Sequence, residues 1–231
     1  MYNFSGKSIL ITGATGMLGK HLTCSLGRAG GHIFVHGRDP KLVSDLCILL
    51  HKENIKHTPV VFDLCDVSMM QFEISSLTAK HKIDILINNA GERVASTDFL
   101  KLAPTELTNV IQTNLVGTMC LTQEVLKHMR ACNSGQILTI TSLVAKKSFP
   151  QYHGVHYISS KAALESMNLA LREEFQETNI RFNTVAPGPI IDNDQIRASK
   201  ISDAVSHNQI VEDIIAALSV DSASNIEITD L

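Results

Sequence analysis

Apolar residues along the 231-residue chain fall into short, nearly unbroken runs. Longer stretches separate them, and there the apolar positions recur every three or four residues. The runs at 8–12, 33–36, 59–62, 83–87, 136–142 and 180–186 are rich in Ile, Leu and Val, as in Ile83-Asp84-Ile85-Leu86-Ile87. A half-exposed strand alternates apolar with polar, whereas near-continuous runs suit parallel strands covered on both faces. Helical spacing predicts helices over 18–29, 40–51, 68–81, 104–130 and 157–177, then a last helix at 210–218 and a short strand at 226–228. Gly30-Gly31 stops the first helix, and Asp39-Pro40 caps and opens the second. This alternation predicts an α/β fold, a doubly wound parallel sheet of about seven strands with helices on both faces. No linker or repeat interrupts it, so residues 1–231 read as one domain. Residues 189–208 are polar with little periodicity, and a loop or loose helix of about twenty residues is expected there, a length uncommon unless functional or disordered.

Composition narrows the function classes. Hydrophobic residues make up 44% and charged residues 19%, with a formal net charge of -3 and a pI near 6.3. Without a basic excess or a Lys/Arg run, electrostatic binding of nucleic acid is excluded. Ample apolar content and small net charge exclude intrinsic disorder. The first apolar run ends at Thr12-Gly13, too soon for a signal peptide, and no uncharged stretch nears the roughly 18 residues of a spanning helix. Neither a membrane nor a nucleic-acid partner is expected. Five scattered cysteines without a CxxC pair read as reduced thiols, so a cytoplasmic location is expected.

The strand at 8–12 leads into Thr12-Gly13-Ala14-Thr15-Gly16-Met17-Leu18-Gly19 and then a helix. Such glycines serve a tight turn, close approach to a pyrophosphate and close helix–strand packing, the phosphate site of a Rossmann unit. The helix N-terminus adds free N–H groups and a partial positive charge. A plain tight turn would use the same glycines. At the end of the second strand an acid selects NAD, and Arg accommodates a 2′-phosphate. Here the chain reads Val35-His36-Gly37-Arg38, with no carboxylate at 36 or 37. NADP(H) is therefore favoured over NAD(H), although a single Arg is as readily a solvated surface residue.

Four more features follow in order. Asn88-Asn89-Ala90-Gly91 closes the fourth strand, Ser142 ends the fifth, Tyr157-Ile158-Ser159-Ser160-Lys161 opens a helix, and Pro187-Gly188 follows the sixth strand. Tyr157 and Lys161, four apart on a helix, share one face. A neighbouring ammonium favours phenolate and brings a hydroxyl that titrates near pH 10 toward neutral chemistry. An ordinary exposed helical pair has the same spacing. Ser142 sits at the sheet's carboxyl edge, where a hydroxyl can steady charge on a carbonyl oxygen. Asn114 falls within the stripe Leu107, Val110, Ile111, Met119 and Val125, where a buried amide needs partners; a structural and a functional role both fit. His153 and His156 have a metal-like spacing, but no Cys or carboxylate cluster accompanies them, and no metal site is expected.

Together with the glycine loop, these motifs resemble the short-chain dehydrogenase/reductase family over nearly the whole chain. The resemblance implies Tyr157 as proton donor or base and Ser142 as the group positioning the substrate oxygen. It implies Lys161 as tuner of Tyr157 and holder of the nicotinamide ribose, and Asn114 as holder of a relay water. Cofactor contacts implied are Gly13, Thr15, Gly16, Met17, Leu18, Gly19 and Arg38, then Asp63 and Leu64 at the adenine. Asn88, Asn89, Ala90 and Gly91 continue the set along the adenosine side, and it closes with Tyr157, Lys161, Pro187, Gly188 and Ile190. The expected function is an NADP(H)-dependent oxidoreductase passing hydride between nicotinamide and a small carbonyl or alcohol substrate. A homodimer or homotetramer paired through helices 104–130 and 157–177 is expected.

Three positions depart from the family's usual pattern. The second glycine is Gly16 where the commonest branch has it at the place of Met17, Asp192 stands at the usual Thr, and the chain stops at Leu231 short of a Gly-containing tail. Two alternatives accompany the leading reading. One is a non-catalytic NADP(H)-binding sensor or assembly subunit, and the other an epimerase or dehydratase of the same fold with retained cofactor.

Overall fold

The computed structural model describes residues 2–92, 98–145, 154–191, 205–219 and 227–228. Nine strands are present there: β1 (Ser8–Ile11), β2 (His32–Gly37), β3 (His57–Val61), β4 (Ile85–Asn88), β5 (Gly135–Ile140), β6 (Ile180–Val185), β7 (Ile190–Ile191), β8 (Val205–Ser206) and β9 (Glu227–Ile228). Seven form one sheet in the order β3-β2-β1-β4-β5-β6-β9, with every neighbouring pair parallel. The chain runs outward from β1 to β3, then returns to lay β4 against the other side of β1. That reversal opens a crevice at the carboxyl ends of β1 and β4, where ligands bind in open α/β sheets.

Among the described residues seven α-helices cover the sheet: α1 (Met17–Arg28), α2 (Pro40–Lys52), α3 (Val67–Thr78), α4 (Pro104–Ile111), α5 (Thr118–Cys132), α6 (Val155–Glu174) and α7 (His207–Ser219). Successive strand residues point to opposite faces. Ile9 and Ile11 therefore join one core with Leu22 and Leu26 of α1, Leu46 of α2 and Ile214 of α7. Leu10, between them, joins a second core with Met70 of α3 and Val125 and Met129 of α5. Two apolar layers enclosing one sheet explain the unbroken apolar runs of the strands. Asp39 caps α2, accepting from the N–H groups of Lys41 (2.8 Å) and Leu42 (3.2 Å), with Pro40 in the first turn as expected.

Several expectations need correction. The helix expected over 104–130 is interrupted by a π-helical segment, Gln112–Gly117, between α4 and α5. A π turn holds more residues than an α turn, so the register of the following helix rotates. Met119, expected in the apolar stripe, is 47% exposed, and Leu121 is the fully buried residue of that turn. The fifth strand stops at Ile140, and Ser142 lies just beyond it, before a 3-10 turn at Leu143–Ala145. The expected loop at 189–208 carries β7 and β8 at its two ends, paired parallel. Its middle, with Asp192, lies outside the described residues, as does His153.

Candidate active site

The glycine loop leaves β1 and enters α1 at the crevice. Gly13 has φ +61°, and a Cβ there would stand 2.9 Å from the Ala90 Cα. A Cβ on Gly19 would lie 2.1 Å from the Gly13 carbonyl oxygen. Any side chain at these two positions would push the loop away from β4 or the helix away from the loop. Gly16 is the N-cap of α1 and offers no side chain to its N–H groups. The helix therefore presents uncapped donors and its positive end to the crevice, the arrangement that holds a phosphate.

Three side chains hold the loop in place. Thr12 Oγ1 donates to the Ile87 carbonyl (3.3 Å) and accepts from the N–H groups of Asn89 (3.0 Å) and Ala90 (2.9 Å). Asn89 Nδ2 returns the link by donating to the carbonyls of Thr12 (2.8 Å) and Gly13 (3.1 Å). The buried His36 accepts from the Gly13 N–H at Nδ1 (3.4 Å), and its Nε2 meets the Phe62 carbonyl (3.2 Å). These partners assign the neutral ring with its proton on Nε2. Burial pushes the His36 pKa down to about 4, which keeps the ring neutral at physiological pH.

The resulting cleft has a volume of about 520 Å³. Gly13, Thr15, Gly16, Met17, Leu18 and Gly19 line its floor, and Arg38, Asp63 and Leu64 form one side. Asn89, Ala90 and Gly91 form the other. The residues expected on the adenosine and pyrophosphate side thus border one cavity, except Asn88, which is buried in β4 and donates instead to the hydroxyls of Thr122 (3.0 Å) and Thr139 (3.4 Å). Its size, the glycine cradle and the uncapped helix fit a dinucleotide. Arg38 forms an ion pair with Glu92, which lines the same cleft.

Beyond Gly91 lies the second group. A Cβ on Gly91 would be 3.5 Å from Lys161 Nζ and 3.6 Å from Asn114 Oδ1, so the cleft runs directly to those side chains. The Lys161 ammonium lies 5.7 Å from the Tyr157 ring centroid and donates to the Ile140 carbonyl (2.9 Å). Burial brings its pKa down to about 8, opposed by the charge of Glu165 one turn on. Ser142 is buried two residues beyond Ile140, and the next N–H, of Leu143, donates to the Pro187 carbonyl (2.9 Å). Pro187 is buried, and Gly188 and Ile190 are partly buried behind it, with Ile190 in β7. These three do not line the 520 Å³ cleft.

Asn114 is fully buried in the π segment. Its Oδ1 accepts from the Glu92 N–H (2.6 Å), and its Nδ2 donates to the Glu92 carbonyl (2.8 Å) and to Ser160 Oγ (3.2 Å). Ser160 Oγ in turn donates to the Tyr157 carbonyl (2.7 Å). The amide's partners are thus protein groups that join the end of β4 to the first turns of α6.

Residues overlooked in the sequence reading do much of this positioning: Thr12, His36, Glu92, Ser160, and Thr141, whose hydroxyl donates to Glu165. A Thr at a strand end and a His inside an apolar strand were visible signals for two of them. Contacts of Glu92 and Ser160 depend on pairs 22 and 46 positions apart, for which no periodicity gives a sign.

Comparison with known proteins agrees with this geometry. The family model described as short chain dehydrogenase matches residues 7–201. The chain is 32% identical over 191 residues to the NADP-dependent 3-hydroxy acid dehydrogenase of Schizosaccharomyces pombe, covering 81% of this chain and 73% of that protein. It is 31% identical over 189 residues to a 3-oxoacyl-acyl-carrier-protein reductase of Rickettsia felis, covering 81% and 74%. A gluconate 5-dehydrogenase structure from Burkholderia cenocepacia, in complex with NADP and tartrate, superposes with TM-score 0.85 at 20% identity, over 98% of this chain and 94% of that one. A Brucella melitensis 3-oxoacyl-acyl-carrier-protein reductase with bound NAD gives 0.87 at 20% identity, over 98% and 90%, and shares the fold. With a Rossmann sheet, a glycine cradle and a match spanning most of its length, the chain belongs to the short-chain dehydrogenase/reductase family of oxidoreductases.

Proposed function

We propose that the protein is an NADP(H)-dependent oxidoreductase that interconverts a small carbonyl compound and its alcohol. The observation that carries this reading is the convergence of Tyr157, Lys161 and Asn114 at the end of the dinucleotide cleft, with Gly91 between. Arg38 on the cleft wall supports the 2′-phosphate form, as does the NADP-dependent relative. A bound nicotinamide dinucleotide supplies the hydride. In the reducing direction the carbonyl carbon would take the hydride, and the Tyr157 hydroxyl gives its proton to the carbonyl oxygen, which stays bonded to that carbon as the alcohol. Ser142 donates a hydrogen bond to that oxygen and steadies its growing charge. Lys161, with a pKa near 8, holds a proton it can pass on to restore Tyr157. Asn114 keeps the relay end of the site in place by clamping the Glu92 backbone and Ser160.

The substrate would be a hydroxy or oxo acid, or its ester or thioester, by analogy with the two relatives. We further propose a cytoplasmic location, supported by five unpaired cysteines; among the described residues no helix is long and apolar enough to cross a membrane. Pairing into a homodimer is supported by an apolar groove of about 580 Å³ between α5 and α6, where Met119 and Leu171 lie. The direct test follows NADPH oxidation over a panel of oxo acids and esters. Turnover is expected for the native chain, with a loss of about 100-fold or more in Tyr157→Phe. Unchanged turnover in that variant would remove Tyr157 from the chemistry.

A further inference from the structure

Arg38 and Glu92 meet across the wall of the cleft, and both line it. Arg38 follows β2, where the adenosine ribose is read in Rossmann units. Glu92 comes from the end of β4, on the opposite side. Its backbone is held at two points by Asn114, through an N–H bond of 2.6 Å and a carbonyl bond of 2.8 Å. Only its side chain remains adjustable, with one-third of it exposed. An ion pair this accessible to water is weak enough for a ligand to open.

We propose that Glu92 sets the choice between the two nicotinamide dinucleotides, holding Arg38 and accepting from a ribose 2′-hydroxyl, so that a 2′-phosphate must take Arg38 away from it. The inference rests on reading the cleft as the dinucleotide site. No acid stands at position 36 or 37, where a 2′-hydroxyl reader would normally sit. Glu92 brings an acid to that region from the turn after β4, across β1 from β2. A 2′-phosphate carries close to two negative charges and is repelled by a carboxylate, yet it pairs bidentately with a guanidinium. One Arg fork between two anions favours whichever binds it better. Arg38 therefore pulls the selection toward NADP(H), and Glu92 pulls it back toward NAD(H).

The test uses the full chain and two probes that represent the adenosine end alone, 2′,5′-ADP and 5′-AMP, titrated by calorimetry. Glu92→Gln preserves the side-chain shape and the backbone clamp. It is expected to tighten 2′,5′-ADP about three- to tenfold and to leave 5′-AMP unchanged or weaker. Glu92→Lys should give a larger gain in the same direction, and Arg38→Met a selective loss of 2′,5′-ADP. The proposal is overturned if both Glu92 variants keep the native ratio within about twofold while Arg38→Met still loses 2′,5′-ADP. That result would leave the cleft assignment standing. If the native chain binds neither probe nor NADPH nor NADH, the cleft assignment fails, and the proposal fails with it.

Discussion

The Thr12 hydroxyl closes the contact between the glycine loop and the β4 turn. It satisfies two backbone N–H groups and one carbonyl, and Thr12 itself is buried at 2% exposed. Thr12→Val keeps the shape but strands the donors of Asn89 and Ala90. Stranding buried donors costs about 1–3 kcal/mol each, so a destabilisation of about 2–4 kcal/mol is expected in urea unfolding, with weaker NADPH binding. A change below about 0.5 kcal/mol would mean the turn is held by Asn89 alone. At this scale legibility followed sequence distance. The Tyr157 and Lys161 pairing was readable because one helix turn imposes it. The Thr12–Asn89 link spans 77 positions and forms only once β1 and β4 lie side by side.

Among the elements, the π segment decides most about the site. Asn114 was visible as a polar residue in an apolar stripe, but the extra residue per turn was not. A period of 3.6 tolerates one slipped residue in a stripe of five, so a single helix was the natural reading. The segment matters because Asn114 sits within it, against Glu92, and Met119 follows it with its side chain exposed. Met119 then borders the apolar groove between α5 and α6. If that groove pairs two copies of the chain, Met119→Lys places a charge in the contact without disturbing the monomer core. Sedimentation velocity at micromolar concentration is expected to show a dimer for the native chain and a shift toward monomer for the variant. A native chain that sediments as a monomer would refute the pairing.

For the whole molecule, β2 carries a pH dependence. His32 and His36 both have pKa values pushed down to about 4, chiefly by burial. In the unfolded chain each would titrate near 6.5. Between those values the unfolded state binds more protons than the folded one, so stability rises with pH there. The contribution is fully present above pH 6.5 and is lost as the pH falls toward 4. The urea midpoint should therefore drop between pH 7 and pH 5. The His32→Gln variant should lose about half of that slope, because one of the two rings no longer titrates. An identical slope in the variant would assign the effect to other groups.

The chain's own pattern determined the layered α/β fold, because strands buried on both faces must be apolar throughout and helices between them must carry one apolar stripe. It also determined where the glycine turn and the helix that follows it lie, since glycine's conformational freedom and a helix start are local properties. Only the tertiary structure decided which groups hold that cradle, how Asn114 engages Glu92, and that Arg38 is already paired. Those contacts join residues from different elements of the chain. Their partners are set by the strand order and by the register slip of one helix, and neither leaves a periodic mark in sequence.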